Sequence, residues 1–196
     1  MKNLVKERIC QSIDVKTDLL TNDSLLEAIC SLADNMIECI KIGGKIILCG
    51  NGGSASDALH FAGEIVGRFK QERAAWPAMT LNADVAAMTA IANDYSYSNI
   101  YARQAEGHVN AEDVFIGIST SGCSENVFRA AEVAKKKGAK TAALLGKDGG
   151  KLGKVVDYPI IVPCMDTARV QESHILIIHI LCEITERKLT ESDVIS

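Results

Sequence analysis

The sequence predicts an α/β domain in which a parallel sheet is sandwiched between helices. Two observations carry that prediction. Short, continuous apolar runs of strand length recur along the chain, the mark of strands buried on both faces. Helix-like segments alternate with those runs across short turns, as parallel strands with helical crossovers require.

The elements follow in order. Residues 3–20 have helical spacing, with Leu4, Ile9, Ile13 and Leu19–Leu20 apolar. Ser24-Leu25-Leu26-Glu27 reads as a capping box opening a helix to about Ile42, which Gly43-Gly44 stops. Strands are expected at 45–49, 78–81, 114–118, 141–145 and 159–162, and helices at about 54–70, 84–92, 97–107, 124–137 and 167–189. Residues 190–196 are expected to fray. At 196 residues one domain is expected, with residues 1–42 as a helical segment before the first strand.

Composition narrows the function classes. The balance of 47% hydrophobic and 23% charged residues is that of an ordinary globular protein. A formal net charge of −4 disfavours broad binding to nucleic acid or anionic membrane. No apolar run is long enough to span a bilayer, and Met1 to Arg8 carries charges where a secretory signal needs an apolar stretch. A cytoplasmic location is the expectation. Seven cysteines form no C-x-x-C pair and are read as buried free thiols in a reducing compartment.

Two turns carry chemistry. Ser119-Thr120-Ser121-Gly122-Cys123-Ser124 lies between the strand run ending at Ile118 and a helix. Backbone N–H groups at a helix start, with the helix dipole and hydroxyl donors, make a phosphate site. A cap needs one hydroxyl, whereas this turn has four. Gly50-Asn51-Gly52-Gly53-Ser54 is built similarly after the first strand. Read as a dinucleotide fingerprint, it needs an acidic residue about 20 positions on, at the end of the next strand; the nearest candidate after that strand, Asp84, comes 34 residues after Gly50. Ser54-Ala55-Ser56-Asp57 also fits a capping box, so Ser54 has a structural reading as well.

Downstream, His60 and Glu64 share a helix face at i and i+4. They read as acid/base partners, as metal ligands, or as a surface pair continued by Arg68. Gln171 and His179 lie eight residues apart on the last helix, within about 80° of each other. His179 interrupts a very apolar run and needs a polar partner; a satisfied core histidine is the plainer reading, which His174 fits too. His108 reads as an exposed loop residue, and Asn93-Asp94 alone as a cap or turn.

Together, Gly50–Ser54, His60-Phe61-Ala62-Gly63-Glu64, Ala92-Asn93-Asp94, Gly117–Gly122, Gly146-Lys147-Asp148-Gly149-Gly150 and Val170-Gln171-Glu172-Ser173-His174-Ile175 resemble the phosphoheptose isomerases of the sugar isomerase (SIS) superfamily, over nearly the whole chain. The resemblance implies a three-layer α/β/α sandwich with a flavodoxin-like parallel sheet, assembled as a homotetramer with active sites between subunits. It implies conversion of D-sedoheptulose 7-phosphate to D-glycero-D-manno-heptose 7-phosphate through an enediol, early in the synthesis of nucleotide-activated heptose. Substrate contacts carry over to Asn51, Gly52, Gly53, Ser54, Glu64, Asn93, Asp94, Ser119, Thr120, Ser121, Ser124 and Gln171. Glu64 and His179 carry over as the acid/base pair, and His60, Glu64, Gln171 and His179 as ligands of a weakly held zinc ion. Ala168 stands where some members are acidic, and Cys123 where Asn is frequent. The alternatives are a non-catalytic SIS homologue that binds a replication initiator, or an SIS isomerase acting on another phosphosugar. Relatives of the first kind lose the carboxylate and the distal histidine; this chain keeps both.

Overall fold

A computed structural model describes residues 1–193 of the chain. Two helices, α1 (Lys2–Leu20) and α2 (Asp23–Lys41), precede β1 (Ile46–Gly50) and α3 (Gly53–Val66). There follow β2 (Ala78–Thr80), α4 (Val85–Asp94), α5 (Ile100–His108) and β3 (Val114–Ser119). The chain continues through α6 (Glu125–Lys136), β4 (Lys140–Gly146), β5 (Tyr158–Val162) and α7 (Thr167–Asp193). The strands form one parallel sheet in the order β2-β1-β3-β4-β5, so the expected α/β sandwich with a flavodoxin-like sheet is what forms. No helix among the described residues is long and apolar enough to cross a membrane.

Every residue of β1 and β3 is buried, because successive side chains point to opposite faces and both faces are covered. Ile46, Leu48, Ile116 and Ile118 pack with Leu32 and Met36 of α2, Phe61 of α3 and Ile178 of α7. Ile47, Cys49 and Phe115 point the other way, onto Tyr101 of α5 and Val127 and Ala130 of α6. Connections from β1 lead to β2 on one side while β3 lies on its other side. The carboxyl ends of β1 and β3 therefore flank the point where winding reverses, where such sheets bind ligands.

Several local expectations are corrected. The N-cap of α2 is Asn22, whose side chain accepts from the Leu25 N–H, while the Ser24 hydroxyl donates to Asn22 Oδ1. No capping box forms at Ser54 either. Gly52, at φ +55°, lets the chain enter α3 two residues earlier, and Ser54 is buried in the first turn. Residues 97–99 form a 3₁₀ turn leading into α5, which ends at His108; that histidine is exposed but terminates a helix. Helix α3 stops at Val66 rather than near 70 because the Phe69, Lys70 and Gln71 N–H groups all donate to Glu186 of α7. Helix α7 runs on to Asp193, its last turns held by buried Leu189 and by a Thr190–Gln71 hydrogen bond; residues 194–196 lie outside the described residues. Of the cysteines, all free thiols, Cys39, Cys49 and Cys182 are buried, whereas Cys10, Cys30 and Cys123 are exposed.

Candidate active site

The two turns expected to hold phosphate lie side by side at the ends of β1 and β3. In the serine turn, Ser119 Oγ lies 2.9 Å from Ser124 Oγ and 3.5 Å from Ser121 Oγ, and the Cys123 N–H donates to Ser121 Oγ. Ser124 is the N-cap of α6, yet its side chain does not cap the helix. The hydroxyls thus cluster with one another at a helix start, leaving the positive end of the dipole uncapped by side chain. The turn packs closely on residues 146–150. A Cβ on Gly122, at φ +64°, would lie 2.1 Å from Gly149 O, and one on Gly146 would lie 2.5 Å from Thr120 O. Lys151 beyond that second loop pairs with Glu125 at the start of α6. Hydrogen bonds from Lys151 and then Arg129 hold the Glu125 carboxyl below its usual range.

The glycine turn is organised by residues that the sequence did not single out. Asn51 and Asn126 exchange two side-chain hydrogen bonds of 2.9 Å, and the Tyr97 hydroxyl donates to Asn51 Oδ1 at 2.9 Å. The side chain of Asn51 is therefore spent in fixing the turn, which leaves the Gly52-Gly53 backbone as its open part. Gln171 of α7 lies directly on it, where a Cβ on Gly53 would meet Gln171 Nε2 at 2.1 Å. Asn93 and Asp94 end α4 exposed and bonded to each other. Tyr97, three residues on, ties that segment to Asn51.

A second cluster lies further along α3. His60 Nε2 is 3.0 Å from His179 Nε2 and 3.3 Å from Glu64 Oε1. His179 is thus no core histidine: its polar partner is an imidazole from α3, and its ring stacks on Phe69 with centroids 5.6 Å apart. Arg68 does not continue the His60/Glu64 line but pairs with Glu72. The core role falls to His174, fully buried, whose Nε2–H donates to Leu145 O. Burial pushes its pKa down to about 4 against the opposing effect of that bond, so it is neutral. Asp57, one turn before His60, has a buried Oδ2 with no hydrogen-bond partner. Burial raises its pKa while His60 pulls it down.

As metal donors, two imidazole nitrogens and a carboxylate oxygen suit zinc. Two nitrogens each bound tetrahedrally at 2.0–2.1 Å stand about 3.3 Å apart, a few tenths more than the 3.0 Å between His60 and His179. Among the described residues, however, no group of three or more His, Cys, Asp or Glu side chains is arranged around a common ion position. Gln171 is not with the others, since eight residues of α7 separate it from His179 by about 12 Å along the axis. One chain thus gathers His60, Glu64 and His179 on the α3/α7 face and Gln171 with the glycine turn.

Serine and glycine turns at the switch point of a five-stranded parallel sheet define a phosphosugar-binding domain, and residues 15–146 match the SIS domain family. The chain is 47% identical to the phosphoheptose isomerase of Clostridium acetobutylicum over 96% of both chains. It is 54% identical to that of Helicobacter pylori over 84% of this chain and 86% of that protein. Among solved structures, phosphoheptose isomerase GmhA from Neisseria gonorrhoeae superposes with a TM-score of 0.89 at 38% identity, covering 95% of this chain and 98% of that one. The chain belongs to the phosphoheptose isomerase family.

Proposed function

We propose that the protein isomerises D-sedoheptulose 7-phosphate to D-glycero-D-manno-heptose 7-phosphate, an early step toward nucleotide-activated heptose in the cytoplasm. The observation that carries this reading is the contact of Glu64, His60 and His179 on one face of a domain that also presents two phosphate turns. The serine turn, the Gly52-Gly53 backbone and the α6 N-terminus anchor the phosphate. Glu64 takes the proton from C1 of the ketose and returns it to C2, while the carbonyl oxygen at C2 gains a proton and the hydroxyl at C1 loses one. The two facing Nε2 atoms share a single hydrogen when both imidazoles are neutral. His60 holds the His179 ring in place, and His179 gives and takes the oxygen-bound proton. Such acid/base work is worth on the order of 10²–10⁴-fold in rate per group, and the fixed anchor supplies positioning besides.

We assign His60, Glu64 and His179 as ligands of a weakly held zinc ion, loose enough to leave Glu64 and His179 free for acid/base work, with Gln171 completing the set from a neighbouring copy. Held by these residues, such an ion would supply Lewis-acid stabilisation of charge developing on the sugar oxygens. Two features support a homotetramer with shared sites. Helix α1 exposes Leu4, Val5, Ile9, Ile13 and Leu20, and α7 exposes Leu176 and Ile180, a run of large apolar side chains on adjoining helices of the kind that marks a protein–protein contact. Glu64 also lies about 16 Å down the α3 axis from Gly53, further than an extended heptose phosphate reaches from the turn of its own chain.

The test is incubation with sedoheptulose 7-phosphate in deuterated water. Aldose carrying deuterium at C2 is expected; no turnover by an intact assembly, with or without zinc, overturns the assignment.

A further inference from the structure

The segment between α3 and β2 does more than connect them. Residues 67–77 leave α3 and fold over α7, where the Glu186 carboxylate organises them. Its Oε1 accepts from the Phe69 N–H (2.9 Å) and Arg73 Nε (3.0 Å). Its Oε2 accepts from the Lys70 (2.7 Å) and Gln71 (2.9 Å) N–H groups. Both side chains of the ion pair are almost wholly buried, Arg73 at 5% and Glu186 at 2% exposure. Arg73 does not end there. Its Nη2 donates to Glu64 O at 2.9 Å, its Nη1 to Ile65 O and Ala74 O at 3.0 Å, and its guanidinium lies 3.6 Å over the Trp76 ring.

Each arm of this clamp ends on a reacting group. One arm runs from Glu186 through the backbone of residue 69 to the Phe69 ring stacked on His179. The other runs from Glu186 through Arg73 to the peptide carbonyl of Glu64, on a last turn of α3 that has no further helix to hold it. Glu186 also lies seven residues beyond His179, two turns along and on nearly the same face of α7. One carboxylate thus fixes α3 against α7 where acid and base must face one another.

We propose that Glu186 and Arg73 are positioning residues for the isomerisation, setting the separation of Glu64 from His179, with Phe69 as the piece that seats the imidazole. This rests on the isomerase reading above. None of the three is placed against the phosphate turns, so their loss acts on turnover rather than on anchoring. A misplacement of about 1 Å at a reacting group costs on the order of 100-fold in rate, which sets the scale of the effect.

The experiment compares wild type with Glu186→Gln, Arg73→Lys and Phe69→Leu, measuring kcat and KM for sedoheptulose 7-phosphate and solving each crystal structure. Arg73→Lys keeps the charge toward Glu186 but loses the fork to Glu64 O and Ile65 O; Phe69→Leu leaves the buried pair intact and removes only the stacked ring. The folded variants are expected to lose about 10–100-fold in kcat with KM near wild type, with His179 or the α3 terminus displaced. Wild-type kcat in the folded variants, or a loss confined to KM, overturns the proposal. Should Glu186→Gln fail to fold, Phe69→Leu decides by the same two outcomes. A wild type that does not turn the sugar over defeats the isomerase reading, whereas unmoved His179 and Glu64 in the variant structures defeat the positioning claim alone.

Discussion

Gly122→Ala separates two costs that the serine turn avoids by using glycine. The residue sits at φ +64°, where an L side chain is strained by roughly 1–2 kcal/mol. Its new Cβ would also lie 2.1 Å from Gly149 O and 2.7 Å from Gly150 N, against 3.4 Å or more in ordinary contact. Those neighbours are backbone, so one of the two loops must move by over an ångström, an overpacking cost of about 1–3 kcal/mol. The combined loss of about 2–5 kcal/mol lowers Tm by roughly 5–15 °C for a chain of this size. Gly52→Ala is the control: it sits at φ +55° and ψ −123°, but nothing lies within 4 Å of its Cβ, so it bears only a conformational cost of about 1–3 kcal/mol. Calorimetry of both variants at one protein concentration should place Gly122→Ala well below Gly52→Ala, and its KM should rise as Ser119 and Ser121 shift. Equal melting temperatures would refute the tight seating of the serine turn on residues 146–150.

Glu64→Gln should bind substrate with little change and lose about 10²–10⁴-fold in kcat; isothermal titration beside the isomerase assay checks both, and a near-normal rate removes Glu64 as the base. Chelation of metal should lower activity and leave far-ultraviolet dichroism unchanged, because His60 and Glu64 are partly exposed on a formed helix; unfolding on chelation would contradict a catalytic ion. His174 makes stability depend on pH: its folded pKa of about 4 lies below the 6.5 of an ordinary histidine, so stability is full above 6.5 and falls as pH drops toward 4. The loss totals about 3 kcal/mol, and urea unfolding at pH 7 and 5 should show a slope that His174→Gln flattens.

The strands and turns were legible because burial on both faces writes an uninterrupted apolar run, as in Ile46-Ile47-Leu48, and because glycine and serine mark where such a run must turn. The i, i+4 spacing likewise disclosed the His60/Glu64 contact, a property of α3 alone. What stayed hidden was set by other elements. Near residue 66 the one local stop signal is Gly67, the C-cap of α3; what holds the chain after it is a carboxylate more than a hundred positions away. Asn51 stood in the sequence without its partners: Asn126 and Tyr97, which hydrogen-bond its side chain, lie 75 and 46 residues downstream. Glu186 left one trace: a carboxylate two turns after His179 on an apolar helix face needs a partner inside the protein, as His179 itself does.

The separation of anchor from chemistry follows from the fold. A parallel α/β sheet offers its crevice only at the carboxyl ends of its strands, and helix N-termini there supply donors for a phosphate. Helices following those strands run back along the sheet, so a residue two or three turns into one is carried away from the crevice. Glu64 is such a residue, and His179 joins it from α7, a helix that passes Gln171 at the crevice before it reaches His179. Within one chain the groups proposed to bind and those proposed to react are therefore held about 16 Å apart along α3. In the shared site proposed above, a second copy that lays its crevice against the α3/α7 face would join the two, while Leu176 and Ile180 border α1 and α2 beside that face. In such an assembly, selection for catalysis would act on the contact between copies as much as on the phosphate turns. A substitution at Leu176 or Ile180 that weakens association should thus lower turnover in step with dissociation, even though neither side chain is polar.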